Sequence, residues 1–296
     1  MIPCVFILMN RRRTCDYNFI LEAIIKEATK LGLVLDPKKI MTELEFAAIN
    51  AFKAKFPHAQ NKACLFHFAQ ALFKHFTAPG FFKTEYNNDP KINSWFRRLF
   101  CLSLVPVDQI TEVWIKILND KPIFIETNKN KKIDEFLEYF VDTYFEGKFD
   151  INLWNHFDTE GPRTNNDIEG YNLKLKNHVS RAHLDIYKSF QVFQTQEHAA
   201  FVKYKHALDG KPAQPRKKLN IGRDNEIKIY KKLLKEGNIN IDVYVNNLLP
   251  FFSFRKNKKK DKAADISDSS DEDGNVLSEV ESESENEVEE VDEMGL

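Results

Sequence analysis

Between Asp16 and Leu31 the apolar positions Tyr17, Ile20, Leu21, Ile24, Ile25, Ala28 and Leu31 recur three and four residues apart, and Gly32 follows. That spacing gathers side chains on one face of an α-helix, with a glycine placed to end it. Ahead of this helix, Ile2 to Met9 is a continuous apolar run that reads as a buried strand. It begins at the start of the chain, so the opening of a domain is expected to be missing. After the helix, Asp36-Pro37 breaks the pattern, Lys38 to Thr42 can form a short strand, and Glu43 to Phe56 returns to helical spacing through Phe46, Ile49, Phe52 and Phe56. The order strand, helix, strand, helix predicts an α/β layer whose parallel strands are joined by crossover helices.

Beyond Phe56-Pro57 a short extended piece ends at Cys64, and a Phe-rich helix over Phe66–Phe76 is closed by Pro79-Gly80. Three stretches, Trp95–Leu104, Val107–Leu118 and Ile133–Phe145, read as helices with no strand between them, so a helical block is inserted into the α/β domain. A further helix starts near Asn165. A longer one spans Asp185–Tyr204, with Ile186, Phe190, Phe193 and Ala200 along one face. Pro212, Pro215 and Gly222 mark a basic linker, and a helix pair around Glu226–Leu249 follows. The predicted organisation is a first domain part at 1–90, the helical insertion at 91–160, helices at 161–250, a basic segment at 251–264 and a disordered acidic tail at 265–296.

Composition supports a globular body, since 43% apolar and 12% aromatic residues in 296 are ample for a core. The formal charge of -1 conceals a segregation of sign. Residues 265–296 hold 14 acidic side chains and no Lys or Arg, leaving 43 basic against 30 acidic in residues 1–264. A surplus of 13 positive charges suits a polyanion, and DNA or RNA is the commonest one. Cys4, Cys15, Cys64 and Cys101 are too few and scattered for a disulfide framework, so a reducing, intracellular setting is expected. Ile2–Met9 is too short for a membrane helix, which needs about 20 apolar residues, and Arg11-Arg12-Arg13 follow it rather than precede it as in a signal peptide. No membrane partner is expected. The cluster formed by Arg255, Lys256, Lys258, Lys259 and Lys260 is either a solvated linker, or a nuclear localisation signal or phosphate-contacting arm. Ser269, Ser270, Ser278 and Ser282 sit among carboxylates, a setting that acidic-directed kinases favour.

Three places could carry chemistry. Glu43 stands where a predicted strand gives way to a helix, at the sheet edge where ligands usually sit. It is a candidate metal ligand, although an acid there also opposes a helix dipole. Cys64 and His67 can take two zinc positions, but no second pair is evident, so core packing is favoured and zinc is not expected. The richest segment runs from Gly161 to Asn172. On a helix from Asn165, Glu169 shares a stripe with Asn165, Asn172 and Lys176, while Ile168, Tyr171, Leu175 and Val179 form the apolar side. A carboxylate flanked by amides can hold a hard cation and orient a phosphate.

The ordered set of Pro37 to Phe46, Ala48 to Phe56-Pro57, Cys64-Leu65-Phe66-His67-Phe68, Gly80 to Tyr86, Leu102 to Pro106, Arg163-Thr164-Asn165-Asn166 and Glu169-Gly170-Tyr171-Asn172 resembles the Mutator-like element (MULE) transposase domain over about Ile2 to Leu249. The resemblance implies an α/β, RNase H-like fold interrupted by a helical insertion, with three acids binding two magnesium (or manganese) ions for DNA cleavage and transfer. Carried over by position, the second acid is Glu43, where the family usually has Asp, and the third is Glu169. Cys64 and His67 match the family's Cys-x-x-His element. Arg163, Asn165, Asn166, Asn172 and Lys176 are then the expected nucleic-acid contacts. The first acid of the family lies upstream of the equivalent of Ile2–Met9, so an incomplete sheet with an open edge is expected, together with loss of transposition activity. The alternative is an active transposase whose first acid is absent only from this sequence. The implied setting is nuclear and the implied partner DNA, with chromatin proteins or a second copy as further candidates.

Overall fold

The computed structural model describes residues 2–178, 185–212 and 218–252, apart from the side chains of Asp167, Lys174 and residues 176–178. The first helix, α1 (Thr14–Lys30), starts where the Asp16 carboxylate accepts from the Arg13 backbone N–H at 3.1 Å and pairs with its guanidinium at 3.0 Å. It lies against α2 (Phe46–Lys55), to which Lys55 and Glu22 tie it at 2.5 Å. Two strands follow the predicted positions. β1 (Lys39–Thr42) and β2 (Gln60–Ala63) run parallel, Lys39 opposite Gln60 and Thr42 opposite Ala63.

This pair is the whole sheet among the described residues, and the protein is mostly helical. The strand expected at Ile2–Met9 does not form. Val5, Ile7 and Leu8 are exposed, and the segment pairs with no strand among the described residues. What it finds instead is a ring contact, Phe6 stacking on Phe193 at 5.1 Å. An apolar run becomes a strand only when a neighbour offers a ladder, and among the described residues none lies beside it.

The helical body begins with α3 (Leu65–Phe76) and continues through α4 (Lys83–Asn88), α5 (Pro90–Cys101), α6 (Ile110–Asn119) and α7 (Thr127–Phe140). α5 has proline in its first position behind the Asp89 cap, whose carboxylate accepts from the Lys91 N–H at 2.7 Å. Short 3-10 turns at Leu102–Leu104 and Val107–Gln109 separate α5 from α6. α7 ends in a π-helical turn, Val141–Phe145, after which the chain folds back so tightly that a Cβ at Gly147 would lie 1.7 Å from the Asp142 carbonyl oxygen. α8 (Ile151–Trp154), α9 (Asn166–His178), α10 (Ile186–Leu208), α11 (Lys218–Lys235) and α12 (Ile241–Leu248) complete the order. The helix expected around Trp95–Leu104 instead begins at Pro90 and stops at Cys101. α4 and α8 had no periodic signal because each is under two turns.

Phenylalanine fills the centre. Phe76 stacks on Phe96 at 4.0 Å and on Phe82 at 5.0 Å, and meets Phe136 edge-on at 5.1 Å; Phe68 lies flat on Trp154 at 5.2 Å. Polar tips inside this core are matched: Trp95 Nε1–H donates to the Ile117 carbonyl at 2.9 Å, Trp154 Nε1–H to Tyr144 at 2.9 Å, and the Tyr244 hydroxyl to Leu104 at 2.7 Å.

A second, polar seam holds β2 to the helices. The Lys62 ammonium donates to the carbonyls of Asn152 (2.6 Å) and Asn155 (2.7 Å). Asn155 Nδ2 donates to Leu102 (3.1 Å) and Val105 (2.8 Å). His156 is wholly buried, with Nε2 2.8 Å from the Ala63 carbonyl and Nδ1 3.1 Å from the Thr159 hydroxyl. A carbonyl can only accept, so Nε2 carries the proton and Nδ1 accepts from Thr159. Lys231 of α11 donates to the carbonyls of His156 and Phe157.

Burial, assisted by the neighbouring charges of Lys62, Arg163 and Lys39, holds the His156 pKa down to about 3. The unfolded imidazole takes its proton near about pH 6.5. The folded pKa is thus depressed, so this contribution to stability is complete above about pH 6.5 and is lost as pH falls toward about 3. Between about pH 7 and about pH 5 the loss should be about 2 kcal/mol. Denaturant titration of the wild type and His156→Gln at both pH values checks this. The wild type should lose about 2 kcal/mol more than the variant over that interval, and equal losses would show that His156 is not held neutral.

Candidate functional site

α3 presents two faces. Phe68, Leu72 and Phe76 turn into the aromatic core, which fixes the helix, and its N-terminal end carries Cys64 and His67 toward the end of β1 and the start of α9. Cys64 is the N-cap and His67 lies three residues on, on the same side. Cys64 is fully buried. Its thiol donates to Asn165 Oδ1 at 2.8 Å and its sulfur accepts from the Asn165 backbone N–H at 3.4 Å. The Leu65 N–H donates to the Arg163 carbonyl at 2.9 Å, so the chain entering α9 is laid along the end of β2.

That clamp brings the two predicted acids together. Glu43, the first residue after β1, places Oε1 3.5 Å from His67 Nε2, and Glu169 of α9 places Oε1 3.6 Å from His67 Nδ1. One imidazole therefore stands between carboxylates that are distant in sequence. Glu43 is more exposed than Glu169, with side-chain exposures of 55% and 33%. Cys64, His67 and Glu169 each offer a ligand atom, all within 4.8 Å of one another. Burial keeps the His67 pKa below its ordinary value, with Glu43 pulling partly the other way. Burial likewise pushes the Cys64 thiol up to about 11, against the opposing effect of the backbone N–H groups of Asn165, His67 and Phe66.

The other predicted site residues are distributed differently. Arg163 is largely buried and forms an ion pair with Asp224 of α11. Asn165 is buried on Cys64, Asn166 is half-buried, and Asn172 is exposed. The side chain of Lys176 lies outside the described residues, as do Arg255, Lys256, Lys258, Lys259, Lys260 and the acidic tail. Sequence reasoning missed several groups around the site. The Tyr17 hydroxyl donates to Glu45 at 2.7 Å, which fixes the turn carrying Glu43 against α1. Lys39 donates to the carbonyls of Glu160 and Pro162, at 3.1 and 3.0 Å, on the approach to α9. The polar pair Asn155-His156, set between Trp154 and Phe157, was a visible signal that the chain there is buried with its hydrogen bonds made.

Glu43 follows β1, Cys64 follows β2 as the cap of α3, and His67 lies in the first turn of α3. Residues 1–71 match the MULE transposase domain. The match takes in both strands and ends within α3, short of Glu169. It gives this part of the chain a transposase-related character. No curated protein and no solved structure matches the chain. Among the described residues no helix is long and apolar enough to cross a membrane.

The clamp on Cys64 can be read chemically. In metal-free protein, iodoacetamide should modify exposed Cys4 and Cys15 first and buried Cys64 and Cys101 slowly. Asn165→Ala removes a hydrogen bond with a net value of about 1 kcal/mol, so Cys64 should react about fivefold faster while Cys101 stays unchanged. Peptide mapping of the labelled chain measures this, and a Cys64 as reactive as Cys15 in the wild type would exclude the clamp.

Proposed function

We propose that the protein is a transposase-derived, DNA-binding nuclear protein that does not itself cleave DNA. The observation that carries this reading is the convergence of Glu43 and Glu169 on His67, which joins the acid inside the MULE match to the acid outside it. In this reading β1, α2 and β2 are part of an RNase H-like layer and α5 to α8 are its helical insertion. The surplus of 13 basic residues over positions 1–264 supplies the attraction for phosphates. Arg255, Lys256, Lys258, Lys259 and Lys260 serve as the nuclear signal.

The residues do not fit a pair of magnesium ions. Such ions require an all-oxygen, near-octahedral shell, and two-metal catalysis holds them about 3.5–4 Å apart between shared carboxylates. Here an imidazole separates the two carboxylates, and the donors closest to Glu169 are a sulfur and a nitrogen. Binding is therefore assigned to this chain and strand cleavage is not.

Fluorescence anisotropy of the full chain with a labelled duplex tests the proposal. With on the order of 4 phosphates contacted, affinity should fall about a hundredfold between about 50 mM and about 200 mM salt. No binding at the lower salt would overturn the DNA reading. Nicking of a supercoiled plasmid in magnesium or manganese would overturn the assignment of binding without cleavage.

A further inference from the structure

We propose that Cys64, His67 and Glu169 bind a zinc-class divalent ion, with Glu43 orienting the imidazole from its far side. The donor set is the first reason. Thiolate, imidazole and carboxylate are the three side-chain ligands of zinc, whereas magnesium and calcium take oxygen. Cys64-x-x-His67 supplied only half of a site in the sequence, and α9 brings the third donor from about a hundred residues away.

Distance is the second reason. Tetrahedral zinc with bonds of about 2.0–2.3 Å sets its donors about 3.3–3.8 Å apart. The three donor atoms lie within 4.8 Å of one another, so side-chain rotations that close the set by about 1 Å would complete the shell. The main chain need not move, because α3 is anchored in the core by Phe68, Leu72 and Phe76 and the start of α9 is held to β2 by Leu65 and Arg163.

The surroundings of each ligand are the third reason. Metal-bound histidines commonly donate their other N–H to a carboxylate, which fixes the tautomer. His67 has that arrangement: Nε2 faces Glu43, while Nδ1 faces Glu169, is buried and has no hydrogen-bond partner among the described residues. On binding, the Cys64 thiol releases its proton to solvent. The thiolate is then met by the Asn165 backbone N–H and by the N-terminal end of α3. The Asn165 amide turns so that its NH2 group, in place of its oxygen, faces the sulfur. Glu169 retains one-third of its side-chain surface, leaving a fourth position open to water. Such an ion would tie α9 to α3, and its binding does not depend on the DNA reading, because it is measured with no DNA present.

Cobalt(II) titration of the full metal-free chain tests this, because a cobalt–thiolate bond gives a near-ultraviolet charge-transfer band that acidic side chains cannot produce. The expected result is one ion per chain with that band, displaced by zinc and not by a large excess of magnesium. Cys64→Ser should abolish the band, whereas Cys15→Ser should leave it unchanged. Glu43→Gln should keep the band and weaken binding about tenfold or more. If Cys64→Ser loses its helical circular dichroism, His67→Gln and Glu169→Gln replace it, each expected to weaken binding by about tenfold or more. A wild-type chain without the band, a band that survives Cys64→Ser, or displacement by magnesium would each overturn the proposal.

Discussion

A two-stranded parallel sheet cannot stand in water on its own, and the structure is arranged around covering the end of β2. Parallel pairs are found buried on both faces because neither face is built to meet solvent. Here Ala63 and Cys64 have no solvent exposure, and the means of covering them is polar. His156 donates to the Ala63 carbonyl, Asn165 both accepts from and donates to the Cys64 sulfur, and Lys62 reaches the carbonyls of Asn152 and Asn155. These bonds give the segment from Trp154 to Asn165 one path across the end of the sheet. An apolar cover could have slid along that edge; donors matched to particular carbonyls cannot without leaving buried groups unpaired.

The aromatic core then does for α3 what the polar seam does for β2. Phe68, Leu72 and Phe76 are wholly buried among Trp154, Phe96 and Phe136, so the helix has no freedom to rotate. Its N-terminal end, with Cys64 and His67, inherits that rigidity. Fixed on one side by the core and on the other by the segment leading into α9, the His67 ring stands where both acids can reach it.

How much of this could be read from the sequence depended on the range of the interaction. Periodicity gave α1, α3, α6 and α10 within a few residues, because the signal is local and each helix has enough turns to repeat it. It also gave β1 and the extended piece before Cys64. The strand expected at Ile2–Met9 failed because strand formation depends on a neighbour, and the composition of a segment says nothing about who lies beside it. The candidate site divides in the same way. Glu43, Cys64, His67 and Glu169 were legible as residue types at suggestive positions. That Asn165 would be spent on Cys64 and Arg163 on Asp224 was not, because both are consequences of docking α9 and α11.

The placement of charge along the strands and their cover follows from the same docking. Lys39 lies on β1, Lys62 on β2, and Arg163 and Lys231 on the segments packed against them, and desolvation lowers the pKa of the three lysines, that of Lys231 to about 8. Each lysine is held by backbone carbonyls, and only Arg163 is set against a carboxylate, that of Asp224. A neutral imidazole has one nitrogen to donate and one to accept, so with a carboxylate at each end it serves only one of them as a donor. The two nitrogens of His67 thus face carboxylates from different elements, Glu43 after β1 and Glu169 on α9, an arrangement that only the docking of α9 produces.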